Sequence, residues 1–153
     1  MSISSVDATI SYWVAHGVPY LPGVSDDELL AFEDKHDVTL PADVRSFFKA
    51  TNGTRVPLNP GWDHDYFEFW PLSEIVPDSD FAWAMNFADY QMLSWWYAID
   101  LTGSGGLAPG TVYLLGTRDG KPQVAARSFT EFLDLYVAGS ERLWPNGAGE
   151  AVS

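Results

Sequence analysis

Apolar residues recur with a helical period up to Asn52-Gly53 and with a period of two beyond it, and this switch limits the fold most. Before it, three helices are expected. Asp7 is placed to cap the first, in which Ile10, Trp13 and Val14 share a face and Gly17 ends the run. Ser25 opens "SDDE", a capping box closed by Glu28, ahead of Leu29, Phe32 and Glu33, with the helix fading near His36. In "LPADVRSFFKATNG" Pro41 suits the first helical position, and Val44, Phe47 and Phe48 follow at i, i+3 and i+4. Asn52 and Gly53 both tolerate a left-handed backbone and are read as the stop.

Beyond the switch, strands are expected at Tyr66 to Trp70, Trp95 to Leu101, Thr111 to Leu115 and Gln123 to Ala126. Asp119-Gly120 marks a hairpin between the last two. Ser128 and Glu131 begin a closing helix whose Phe129, Phe132, Leu133 and Tyr136 face inward. Helices, a mainly antiparallel sheet and a final helix describe one α+β domain over residues 1–153. Its Gly-rich tail, 138–153, is expected to fray unless Trp144 docks.

Charge narrows the partners. The net charge is −13, and between Arg55 and Arg118 there is no cation but eight acids: Asp63, Asp65, Glu68, Glu74, Asp78, Asp80, Asp89 and Asp100. Such a chain is a poor ligand for nucleic acid or an anionic membrane and a good one for a basic protein. The same charge also serves solubility alone. Without cysteine there is no disulfide and no thiolate chemistry. The N-terminus lacks a signal-peptide pattern, and the apolar stretch Tyr90 to Ile99 is too short to span a bilayer, so a soluble cytoplasmic protein is expected.

Motifs for catalysis and cofactors are not found. "LTGSGG" lacks the spacing of a nucleophile elbow or a phosphate cradle and reads as a flexible connection, Gly103 to Gly110. His16 and His36 fall at helix C-termini, where the dipole favours imidazolium and a structural role suffices. His64 lies among Asp63, Asp65 and Glu68, but strand alternation divides these carboxylates between two faces, which disfavours a metal. A glycosidase-like carboxylate pair from distant positions is not excluded by spacing. With 15% aromatic residues a stacking groove is conceivable, although most rings have core-compatible spacing. In "SWWYAIDL" Trp95, Tyr97, Ile99 and Leu101 form an apolar face, while Trp96 shares the other with Ala98 and Asp100. A Trp beside an acid is a candidate contact residue.

The ordered set Glu33, Leu40-Pro41, Phe47-Phe48, Asn52-Gly53, Phe69 and Leu72, followed by "ADY" and "SFTEFL", resembles the SUKH superfamily from about Leu21 to Val137. That superfamily includes the yeast Smi/Knr-type cell-wall regulator and many bacterial immunity proteins. The resemblance implies helices packed on a mixed sheet, no catalytic residues and no cofactor. It also implies a protein partner: a cognate toxin, often a nuclease, or a host enzyme in the regulator case. The shared residues read as structural. Candidate partner contacts are therefore Trp62, Asp63, Asp65, Glu68, Asp78, Asp80 and Trp96. A small-ligand or enzymatic role for the aromatic and acidic groups is the remaining alternative.

Overall fold

The computed structural model describes residues 4–54, 67–90, 95–140 and 143. Three helices come first: α1 (Ser5–Ala15), α2 (Asp26–His36) and α3 (Ala42–Ala50). The strands are β1 (Phe67–Phe69), β2 (Val76–Pro77), β3 (Met85–Tyr90), β4 (Trp95–Ile99), β5 (Val112–Leu115) and β6 (Gln123–Ala126), and α4 (Phe129–Ala138) closes the chain. The α+β reading therefore holds. Every strand pairing is antiparallel, in the order β1-β3-β4-β5-β6, with β2 beside β3. No parallel pair occurs among the described residues, in contrast to the mixed sheet that the resemblance implies.

Local chemistry explains each helix end. The cap of α1 is Ser4, whose side chain accepts from Asp7 N, so Asp7 lies inside the first turn rather than at the cap. Ser25 and Glu28 form the expected reciprocal capping box. Pro41 stands one position before α3, as its cap residue. Ser128 accepts from Glu131 N, but the Glu131 carboxylate turns to Arg127 N instead of closing the box. Helix α3 stops at Thr51, which is extended (φ −158). Asn52-Gly53 acts differently from a left-handed stop, by clamping β1. The Asn52 side chain accepts from Leu72 N at 2.7 Å, and Gly53, at φ +93, passes so close that a Cβ would lie 2.6 Å from Phe69 O. Thr54 Oγ1 then accepts from Phe69 N. Only glycine fits there.

One sheet face carries the helices. Helices α1 and α4 pack together, and α3 packs on both. The core they cover includes Trp13, Leu29, Leu40, Phe47, Phe48, Phe67, Phe69, Leu72, Tyr97, Phe132 and Tyr136, all buried. Trp13, fully buried, donates its indole N–H to Tyr136 Oη at 2.9 Å and meets Phe69 and Phe47 edge-on. Burying rings of this size is worth roughly 2–3 kcal/mol each before entropy is counted. The expected tail, exposed at Ala138 and Gly139, returns to this core at Leu143, which is fully buried and whose carbonyl accepts from the Tyr97 hydroxyl. Trp144 and the expected strand start Tyr66 lie outside the described residues.

Glu33 joins α2 to α3. Its Oε2 accepts from Leu40 N at 2.7 Å and from Arg45 Nη2 at 2.6 Å. The Leu40 N–H above all, with Arg45, holds this carboxyl below the usual glutamate range. The pairing of Glu33 with Leu40-Pro41 in sequence is thus one hydrogen-bonded corner.

Candidate functional site

Strand register defines the sheet face that turns away from the helices. Glu68, Asp89, Trp96 and Leu115 stand in one cross-strand row, and Asn86, Ala98, Tyr113 and Val124 in the next. Ala84, Ala98, Tyr113 and Leu115 form a second, smaller apolar cluster there, with Phe81, Trp83 and Trp96 packed around it and half-buried.

Asp78 builds this face. Its residue is 6% exposed, yet no cation neutralises it among the described residues; four donors do the work. Oδ2 accepts from Asp80 N (2.9 Å) and Phe81 N (3.1 Å), while Oδ1 accepts from Asn86 Nδ2 (3.1 Å) and Trp96 Nε1 (2.9 Å). Burial alone pushes this carboxyl up, but the four hydrogen bonds outweigh it and the pKa lies below the usual aspartate value. The result is a fixed loop that sets exposed Asp80 beside Phe81 and Trp83 on the sheet. Trp83 meets Tyr113 edge-on at 4.9 Å.

Asp100 plays the same part in the next loop. It is fully buried and accepts from Thr102 N, Gly103 N and Gly105 N. Gly103 to Gly110, expected as a flexible connection, is in this respect organised by one carboxylate. Gly105 leaves no room for a side chain: a Cβ would lie 2.7 Å from the Trp83 ring.

These facts redraw the candidate contacts. Asp78 is an internal hub, and Glu68 is buried at 4% exposure directly opposite Asp89; burial takes both out of reach of a partner. Asp80 stays exposed and Trp96 half-exposed, with the Trp96 indole N–H engaged by Asp78. Trp62, Asp63 and Asp65, together with His64, lie outside the described residues. Of the family-pattern residues, Glu33, Leu40, Pro41, Phe47, Phe48, Asn52, Gly53, Phe69 and Leu72 take the core, corner and clamp positions described above. His16 caps α1 with Nδ1 on Tyr12 O. His36 ends α2 against Phe32, and burial, aided by Lys35, lowers its pKa rather than favouring imidazolium. No three His, Asp or Glu side chains among the described residues are grouped to hold a metal.

Two features escaped the sequence reading. Phe81 and Trp83 gave a signal only in their closeness to "PDSD". The second is a groove between the α2–α3 corner and the β4–β5 loop, whose walls meet only in three dimensions.

The described residues thus form an α+β domain of four helices on an antiparallel sheet, with loops held by hydrogen-bonded carboxylates. The chain belongs to the SMI1/KNR4 family (SUKH-1), whose model matches residues 23–135. No curated protein matches the chain. No helix among the described residues is long and apolar enough to cross a membrane.

Proposed function

We propose that this chain is a non-catalytic binding protein of the immunity type, which covers and neutralises a cognate toxin, best a basic nuclease, in the cytoplasm. One observation carries the reading: the Asp78-held loop fixes half-exposed Phe81, Trp83 and Trp96 beside exposed Asp80. Rigid aromatic anchors in an acidic setting suit a basic protein surface, since Trp and Tyr dominate interface hot spots and complementary charge speeds encounter. The net charge of −13 supports the same partner. Immunity proteins among bacterial members of the superfamily make a toxin the natural candidate. Trp62, Asp63 and Asp65, which precede β1 in sequence, complete the proposed contact set.

Co-expression with a toxin encoded beside this gene tests the reading. Wild type should restore growth, and Asp80→Asn with Trp83→Ala should restore less while remaining folded. Absence of protection, together with recovery of a host enzyme as the stable partner, would replace the toxin with a regulatory target.

A further inference from the structure

The groove beside the aromatic patch has a chemistry of its own. One part, about 540 Å³, runs along Asp34, Asp37 and Thr102. The other, about 260 Å³, continues from Asp37 and Thr102 to Pro77 and Trp83. Val38 and Leu101 line both, so the two parts form one trough, acidic at one end and mixed at the other, where His36 and Ser104 stand with Pro77, Met85 and Trp83. Trp83 belongs at once to this trough and to the aromatic patch.

Its two exposed acids, like Asp27 in the first turn of α2, differ from the other acids around them. Asp26 pairs with Lys49, Glu28 caps Ser25, Glu33 holds Arg45 and Leu40 N, and Asp43 holds Thr130. The side-chain carboxylates of Asp34 and Asp37 have no hydrogen bond or ion pair with another described residue; the Asp37 backbone N–H is engaged, by Glu33 O. No Lys or Arg lines the trough; Lys35 lines a separate groove on the far side of His36.

We infer that the trough seats one basic side chain of the partner protein, an arginine or lysine between Asp34 and Asp37, with the adjoining apolar residue against Trp83 and Pro77. This deepens the binding reading above and rests on it. Charge complementarity favours a cationic segment: two unshared carboxylates on one wall can each accept from a guanidinium or ammonium, while Trp83 and Pro77 offer apolar surface to the adjoining residue. A purely apolar segment would leave both acids facing it without a partner.

The test needs no toxin. The blocked dipeptide acetyl-Leu-Arg-amide is titrated into the isotope-labelled full chain and followed by amide and indole NMR, beside the same peptide with neutral citrulline. A ligand this small binds in the millimolar range, so titration to about 10 mM suffices. Shifts should cluster at Asp34, Asp37, Val38, Thr102 and the Trp83 indole, with citrulline binding about fivefold or more weakly. The double variant Asp34→Asn, Asp37→Asn should fall to the citrulline level. It should also fold, because Asp34 is exposed and Asp37 (φ +53) has a left-handed backbone that asparagine adopts readily. Shifts elsewhere, no shifts, or equal binding of citrulline or by the double variant would overturn the inference. A toxin neutralised equally by wild type and the double variant would sink the trough and leave the immunity reading standing. Arginine binding in the trough with no toxin neutralised would do the reverse.

Discussion

Replacing Asp78 by asparagine changes one oxygen for an NH2 group and little else. The carboxylate now faces four donors, two on each oxygen: Asp80 N and Phe81 N on Oδ2, Asn86 Nδ2 and Trp96 Nε1 on Oδ1. Either orientation of the new amide keeps two acceptor bonds and turns a donor toward the other two donors. Hydrogen bonds to a charged group contribute about 1.5–3 kcal/mol each, and partial relaxation recovers some of the loss. The expected destabilisation is therefore about 2–4 kcal/mol, read as a lower midpoint in urea at unchanged slope. Acid supplies a second reading. The folded-state carboxyl has a depressed pKa, so its contribution is present above the unfolded value, near pH 4, and fades as pH falls through the folded value. The gap between wild type and Asp78→Asn should narrow accordingly in acid. A gap under about 0.5 kcal/mol at neutral pH, the scale of ordinary surface substitutions, would refute the hub role.

Glu33→Gln removes the charge that holds Leu40 N and Arg45, and should cost about 1–2 kcal/mol in denaturant unfolding at neutral pH. Glu33 is also depressed, so this difference too should begin to fade near the unfolded value, about pH 4, and vanish only as pH falls through the lower folded value. Gly23→Ala would put a Cβ 1.9 Å from Lys49 O, a clash with backbone that only main-chain movement relieves. A loss of about 3 kcal/mol or more is expected, and a melting temperature equal to wild type would contradict the packing. Trp83→Ala should weaken a neutralised partner by about 2 kcal/mol, near thirtyfold in Kd by calorimetry, with the free protein still folded.

Much of the fold was legible because its signals are local. Capping at Ser25, the spacing of Val44, Phe47 and Phe48, and the Asp119-Gly120 turn each act within a few residues. Strand β3, at the centre of the sheet's pairing, was not legible. A bulge between Asn86 and Ala88 breaks its alternation, so Phe87 and Ala88 both join the helix-side core while Asn86 and Asp89 fall in the outer rows. A period-two search passes over such a strand. Gly23 was equally silent, since its need for glycine comes from Lys49 across a helix and not from its own backbone.

The candidate site was harder to read for an electrostatic reason. Counting eight acids between Arg55 and Arg118 treats each as surface charge. Yet Glu68, Asp78, Asp89 and Asp100 are all at most 6% exposed. A buried carboxylate normally needs a cation, so a cation-free run suggests exposure; at Asp78, Asp89 and Asp100 indole, amide and backbone N–H donors serve instead. Acids and aromatics in this stretch are therefore partners of one another: Trp70 and Trp96 each give an indole N–H to an aspartate. Composition counts charges, but only hydrogen-bond geometry says which of them a partner can feel. Among the described residues of that run the outward charge reduces to Glu74 and Asp80, and α2 supplies Asp26, Asp27, Glu28, Asp34 and the capping Asp37. Among the described residues, exposed acids thus gather on α2 and its corner, and the trough at Asp34 and Asp37 presents two carboxylates that no described side chain shares.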